Sequence, residues 1–100
     1  MPVANMSERA IVFSPRARER FEEIADYLYR QQLSNAFVLD YLERFENWLE
    51  TVLGQFPESG TLVPEYGENI RRVVYQKYSF VYRITEHKIE ILTIYRENQP

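Results

Sequence analysis

The stretch from residue 70 to residue 96, IRRVVYQKYSFVYRITEHKIEILTIYR, decides the fold because apolar side chains recur in it at nearly every second position. A period of two residues is typical of β-strands, in which successive side chains point to opposite faces of a sheet. The pattern predicts strands over residues 70–75, 78–84 and 89–95. Only two and four residues separate them, which is the length of hairpin connections. We therefore expect a mainly antiparallel sheet.

The alternation also assigns side chains to the two faces of the sheet. Because Arg71 and Arg72 are neighbours in the chain, one of them is expected at or near a buried face. In the last strand the predicted faces alternate residue by residue, one with Ile89, Ile91, Thr93 and Tyr95 and the other with Glu90, Leu92 and Ile94.

Upstream of the strands the apolar spacing changes to three and four residues, which is the period of a helix. Ser14-Pro15 is a typical helix start, since serine caps free backbone N–H groups and proline suits the first helical position. This helix is predicted to end at about Gln31. Ser34-Asn35 predicts a second helix to about Leu53, with Gly54 placed for a left-handed C-terminal cap. The short link between them predicts a helical hairpin.

Two further segments complete the predicted order. Residues 10–13 are short, apolar and β-prone, and they predict a first strand. Residues 54–67 hold all three glycines and two of the five prolines, and they predict the main loop. The predicted fold class is α+β, of order β-α-α-β-β-β, with a two-helix hairpin packed on a mainly antiparallel four-stranded sheet. We expect one domain over residues 1–100, with residues 1–7 as a loose tail.

The composition excludes several classes of function. The 100 residues contain no cysteine and one histidine, so thiolate chemistry and Cys/His metal sites are excluded, and we expect no metal or cofactor. No apolar run is long enough to cross a membrane, and we expect a cytoplasmic protein. Residues 1–60 hold 6 basic and 10 acidic residues, net −4, and residues 61–100 hold 6 and 5, net +1. With the total at −3, we expect no sequence-specific binding of nucleic acid.

Individual side chains with possible chemistry have simpler interpretations. His87 lies in a predicted turn, where an exposed residue is expected more often than a general base. Ser14 and Ser34 are explained as helix caps. The acidic group of the first helix, Glu22, Glu23 and Asp26, is typical of a solvated helix face. Strand tyrosines are able to stack on bases, but packing is their more frequent role; these are Tyr75, Tyr78, Tyr82 and Tyr95.

The order and the residues of these elements resemble the RelE/ParE superfamily of toxins from bacterial toxin–antitoxin modules. The resemblance covers nearly the whole chain. Its strongest part resembles the superfamily pattern R-x-h, Y-x-h-x-Y-R-h and h-x-I-L-x-h, where h is apolar. That strongest part comprises residues 70–73, 78–84 and 89–94. The other matching segments are residues 11–17, 24–28 and 56–60.

The resemblance implies two competing activities. RelE-like members cut mRNA in the ribosome with clustered Arg, Lys, Tyr or His side chains, whereas ParE-like members act on DNA gyrase and carry no ribonuclease site. Ser79 stands where the resemblance would place a catalytic arginine, and a pI of about 5.2 is unusual for a domain that enters a ribosome. The ParE-like interpretation is therefore preferred. It implies a non-enzymatic gyrase inhibitor, neutralised by a cognate, ParD-like antitoxin in a higher-order complex. A RelE-like endonuclease and a toxin relic are the alternatives.

Five cations in the sheet region are the predicted contacts for the target or the antitoxin, namely Arg71, Arg72, Lys77, Arg83 and Arg96. Guanidinium groups match the geometry of carboxylates and phosphates, but the same charges are typical of a solvated sheet surface.

The wide apolar stripe of the second helix predicts a groove for an amphipathic antitoxin segment, with strand addition at a sheet edge as a second mode. Simple core packing is the alternative interpretation of that stripe. Leu33, Val38 and Leu39 are expected near the surface. The predicted groove comprises Leu28, Leu33, Val38, Leu39 and Leu42.

Overall fold

The computed structural model describes residues 9–97, so the predicted tail of residues 1–7 lies outside the described part. Two helices and five strands follow one another in the order β1 Ala10–Phe13, α1 Pro15–Arg30, α2 Asn35–Gln55, β2 Thr61–Leu62, β3 Ile70–Tyr75, β4 Tyr78–Ile84 and β5 Lys88–Arg96. Two short 3₁₀ turns, Pro57–Ser59 and Pro64–Tyr66, lie on either side of β2.

Both helices begin at the serines that the sequence predicts. The Ser14 hydroxyl accepts a hydrogen bond from the Ala17 N–H at 3.0 Å and donates to the Leu92 carbonyl at 2.9 Å, which fixes the start of α1 to β5. The Ser34 hydroxyl accepts from the Phe37 N–H at 3.1 Å. These bonds satisfy backbone donors that the first helical turn leaves free.

The predicted C-terminal cap at Gly54 is wrong. The helix α2 continues to Gln55, and the Phe56 N–H still donates to the Val52 carbonyl at 2.8 Å. The helix stops where Pro57 follows, because proline has no N–H for the next helical hydrogen bond and disfavours helical geometry in the residue before it.

The five strands form one sheet in the order β1-β5-β4-β3-β2, with β1 parallel to β5 and every other pair antiparallel. The predicted fold class is confirmed, but the sheet has five strands instead of four. The additional strand β2 has two residues, Thr61 and Leu62, which pair with Arg72 and Arg71. Two residues are too few to show a period, so the sequence pattern does not reveal this strand.

A register shift between Val81 and Tyr82 interrupts the pairing of β4 with β5. Beyond it, Ile94 joins Ile89 and Ile91 in the core under the helices. The predicted alternation along β5 is therefore wrong after Ile91. An irregularity of this kind moves the following side chains to the other face of the sheet, and a strict period of two does not show it.

The helices cover one face of the sheet, and the main core lies between them. Phe45 of α2 is buried at the centre, and its ring contacts Tyr75, Tyr78 and Phe80 at centroid distances of 5.4, 5.4 and 5.7 Å. The opposite face, called the open face here, carries a smaller cluster of Val63, Ile70 and Val81 with Leu92 and Tyr95.

No helix within residues 9–97 is both long and apolar enough to span a membrane.

Candidate interaction surface

The five predicted contact cations do not form one cluster. Arg71 pairs in register with Tyr82 on the helix side of the sheet, where it reaches the loop before β2. Arg72 and Arg83 belong to the open face, as their register partners show. Lys77 lies in the β3–β4 turn, and Arg96 lies beside that turn at the end of β5. The cations therefore lie in at least three different environments.

Arg71 is engaged by the chain's own backbone. Its Nη1 donates to the carbonyl oxygen of Gly60 at 2.8 Å and to that of Glu58 at 3.2 Å. The side chain is half-buried in this position. Its guanidinium thus stabilises the loop that follows α2, and Arg71 is not a free contact on the surface.

The two arginines of the open face also have internal partners. Arg72 Nη1 donates to the Tyr95 hydroxyl at 3.3 Å, and this hydrogen bond raises the pKa of Arg72 above its ordinary value. Arg83 Nη2 lies 2.6 Å from Glu90 Oε1, and the hydrogen bond from Arg83 lowers the pKa of the Glu90 carboxyl below its ordinary value. Each guanidinium therefore already donates a hydrogen bond to another side chain of the same protein.

Ser79 lies on the open face in register with Tyr95 and is fully buried. Its hydroxyl donates to the Glu97 carboxylate. A serine nucleophile requires an adjacent base that takes its proton near neutral pH, and a carboxylate is normally too weak a base for that role. His87 is remote from this position, since the β4–β5 turn that holds it lies at the opposite end of β4 from Ser79. Within residues 9–97 no three His, Cys, Asp or Glu side chains converge to hold a metal ion.

A cavity of about 490 Å³ lies between α1 and the C-terminal end of β5, beside the first residue of β4, and we call it the hairpin-end cavity. The Arg96 guanidinium carbon lies 5.9 Å from the ring centroid of Tyr27, which is within cation–π range. Burial raises the pKa of Tyr78 above its ordinary value, so its hydroxyl stays neutral at physiological pH. The cavity is lined by Arg20, Glu23, Ile24, Tyr27, Tyr78, Ile94, Tyr95 and Arg96.

An aromatic band, defined as Phe37, Tyr41, Trp48 and Tyr75, runs along one flank of α2. Phe37 stacks on Tyr41 at 6.0 Å and Trp48 stacks on Tyr75 at 4.7 Å. The Phe37 side chain is 49% exposed, whereas the other three rings are partly buried against the core. Large apolar rings at the surface of a small domain are typical of protein contacts when they are contiguous.

The outer edge of β3 continues this band. The short strand β2 pairs only with Arg71 and Arg72, so within residues 9–97 no strand lies outside residues 73–75. Val74 is exposed at this edge. An unpaired edge presents backbone donors and acceptors to an added strand.

The family of the ParE toxin of the type II toxin–antitoxin system parDE matches residues 11–99 of the chain. The chain belongs to this ParE toxin family. The resemblance to the RelE/ParE superfamily in the sequence is thereby confirmed. No curated protein sequence is a significant match.

Two solved structures share the fold of this ParE-family chain. One is described as the chromosomal ParDE toxin–antitoxin system from P. aeruginosa, with a TM-score of 0.71 and 18% identity over 92% of this chain and 99% of that chain. The other is the toxin–antitoxin complex RelBE2 from Mycobacterium tuberculosis, with a TM-score of 0.60 and 19% identity over 94% and 97% of the two chains. Both similarities concern the fold, which is common to a ParE-type and a RelE-type protein.

The groove predicted on the helices of the ParE-family chain is only partly at the surface. Val38 is fully buried, so the expectation that it lies near the surface is wrong, and Leu28 is 8% exposed. Leu33 and Leu42 are half-buried against the core. Only Leu39 is well exposed, at 57%. The reason is rotational, since Leu39 lies about 100° around the helix from Val38, which faces the sheet.

Sequence reasoning missed the aromatic band of the ParE-family chain. The signal was present, because Phe37, Tyr41 and Trp48 occupy one flank of a stripe too wide for a single core face. The sequence instead predicts a groove of aliphatic residues that does not include these rings. The well-exposed apolar side chains of α2 are Phe37 on this flank and Leu39 on the other.

Proposed function

We propose that the chain is a toxin that inhibits DNA gyrase by protein–protein contact, without catalysis of its own, and that a cognate antitoxin neutralises it. The absence of catalysis in this proposal is supported by the side chains of the open face. Its two arginines are engaged by Tyr95 and Glu90, and buried Ser79 stands where the superfamily pattern has a catalytic arginine. Phosphodiester cleavage requires donors that are free to stabilise the developing charge, and side chains already paired in the chain are poorly suited to that.

A supercoiling assay with gyrase and relaxed plasmid tests the target. We expect the purified chain at micromolar concentration to block supercoiling or to accumulate cleaved plasmid. Arg83→Ala is expected to weaken this effect, since its guanidinium is half-exposed on the open face. Arg44→Ala is the matched control, because Arg44 is also exposed and ion-paired, with Asp40 at 2.9 Å on α2. Unimpaired supercoiling at micromolar wild-type chain contradicts the proposal.

Neutralisation by an antitoxin is supported by the aromatic band and the unpaired β3 edge. The two similar structures are described as toxin–antitoxin complexes. A partner segment that adds a strand along residues 73–75 would place its side chains beside Tyr75 and Trp48. Co-expression with the product of the adjacent open reading frame tests this. We expect a stable complex and restored growth, whereas toxicity that persists despite soluble partner contradicts it.

The RelE-like alternative draws on one feature, the hairpin-end cavity. Arg96 and Tyr27 there combine a cation with an exposed ring, a combination that also suits RNA. Tyr78 is a poor general base, because burial raises the pKa of its hydroxyl. Primer extension on translated mRNA separates the two functions. We expect intact transcripts, and cuts at fixed codon positions would establish the alternative.

A further inference from the structure

The hairpin-end cavity contains a guanidinium group that no carboxylate of residues 9–97 neutralises. Arg20, in the same lining, is paired with Glu23 at 3.0 Å. Arg96 takes part in none of the ion pairs within 4 Å in the described part of the chain. Its described contact is with the face of the Tyr27 ring. Its forked donors are thus available to a planar anion.

The remaining lining is apolar or aromatic. Ile24 and Ile94 are 6% and 2% exposed and belong to the core under the cavity. The rings of Tyr27 and Tyr78 stand beside Arg96. An occupant that matches this lining combines an anionic group with an aliphatic stem. Glutamate and aspartate side chains have that build, and the volume of about 490 Å³ admits one together with a neighbouring residue.

A carboxylate is favoured over the phosphate backbone of a nucleic acid. The chain as a whole carries a net charge of −3, so a polyanion gains no general electrostatic attraction. One guanidinium with apolar walls suits a single carboxylate on a peptide, whereas nucleic-acid binding usually engages several cations.

We infer, resting on the proposed function for the identity of the partner, that the hairpin-end cavity binds an acidic side chain of the antitoxin through Arg96. The carboxylate lies on the guanidinium, and its aliphatic stem lies against Ile24 and Ile94. The site is adjacent to the aromatic band, because Tyr78 and Tyr75 are register partners across the β3–β4 hairpin. One partner segment is therefore able to occupy both.

A titration with short peptides tests the chemistry of the cavity without an antitoxin. The probes are the blocked tetrapeptide Leu-Glu-Ala-Leu, the same peptide with Gln for Glu, and inorganic phosphate, each added to the full chain. The side-chain nitrogen resonances of Arg96 and the ring resonances of Tyr27 report binding. We expect the Glu peptide to bind at least about fivefold more tightly than the Gln peptide, since charge-assisted hydrogen bonds are the stronger ones. Equal binding of the two peptides, or preferential binding of phosphate, overturns the inference.

A second measurement uses the complex with the antitoxin. Arg96→Gln is expected to raise the dissociation constant by about tenfold or more, because it removes one partner of a charge pair. Lys88→Gln is expected to leave it unchanged, because Lys88 is exposed at the opposite end of β5 from Arg96 and is not part of the aromatic band. If the wild-type chain binds no antitoxin, the proposed function fails and the peptide titration still tests the cavity. If the antitoxin binds and Arg96→Gln has no effect, only the inference about the cavity fails.

Discussion

The hydroxyl of Tyr82 lies 3.0 Å from the backbone nitrogen of Gly60 and accepts its hydrogen bond. The same hydroxyl donates to the carbonyl oxygen of Pro57 at 2.6 Å. Tyr82 is fully buried, so one side chain of β4 satisfies two backbone groups of the loop after α2. This loop carries β2 into position along β3, and the shape of that sheet edge depends on it.

Tyr82→Phe is expected to destabilise the fold by about 1–3 kcal/mol, because it leaves a buried N–H and a carbonyl without their partner. Urea denaturation measures the change in the free energy of unfolding. Tyr66→Phe is the control, since Tyr66 is half-exposed, and its hydroxyl has no hydrogen bond in the described part of the chain. Equal losses for the two variants would show that the Tyr82 hydrogen bonds contribute nothing.

Two glycines are expected to respond to alanine with opposite signs. A Cβ at Gly60 would lie 2.6 Å from the Tyr82 hydroxyl and 2.8 Å from the Arg72 carbonyl oxygen, whereas a Cβ at Gly54 meets nothing within 4 Å. Gly60→Ala is expected to cost about 1–3 kcal/mol through overpacking. Gly54→Ala is expected to stabilise α2 by about 0.5–1 kcal/mol. Thermal unfolding of both variants checks this, and a shift of the same sign in both contradicts it.

The Arg83–Glu90 pair predicts a loss of stability in acid. The pKa of Glu90 is lower in the folded chain than in the unfolded chain, so the pair stabilises fully above the unfolded value of about 4.3 and loses its effect as pH falls through the folded value. The effect is expected to stay below about 1 kcal/mol, since Arg83 is half-exposed.

Unfolding measured from pH 7 to pH 3 checks the contribution of this pair. The difference between wild type and Glu90→Gln is expected to be largest near neutral pH and to shrink below the ordinary carboxyl pKa. Glu50→Gln serves as the control because Glu50 is exposed and has no ion pair within residues 9–97. A difference that grows on acidification would contradict the predicted sign.

The aromatic band predicts a change in partner affinity without a change in fold. Phe37→Ser is expected to weaken antitoxin binding by about tenfold, since exposed aromatic side chains often dominate protein contacts. Its effect on stability is expected to be small, because the ring is 49% exposed. Leu39→Ser is the matched comparison on the other flank of α2 and distinguishes the band from the predicted leucine groove. A larger loss for Leu39→Ser would support the groove instead.

The sequence predicts the fold well where a period persists over several turns or strand residues. The α1 stripe and the alternation in β4 extend over enough residues to define one face, and Ser14 and Ser34 mark the helix starts. The pattern fails at β2, which has only two residues, and at the β4–β5 irregularity, where one shift moves Ile94 to the core. Both depend on pairing between distant strands, which a local pattern does not contain.

The candidate site was less predictable than the fold. Composition and spacing identify cations but not their partners, so Arg71, Arg72 and Arg83 appear equivalent to Arg96 in sequence. The structure separates them by what their guanidinium groups contact, which are backbone carbonyls, a tyrosine hydroxyl, a carboxylate and a ring face. These differences arise from the register between strands, so they cannot be predicted from the spacing of residues along one strand.

The parallel pairing of β1 with β5 has a consequence for synthesis. The Ser14 N–H donates to the Ile91 carbonyl at 2.9 Å, so β1 is completed only by β5, from which it is separated by most of the described chain. Contacts between such distant positions slow the search for the native topology. A nascent polypeptide that lacks β5 lacks the strand that pairs with β1 and that packs against α1. The strand β1 therefore stays without its sheet partner until the ribosome has synthesised β5.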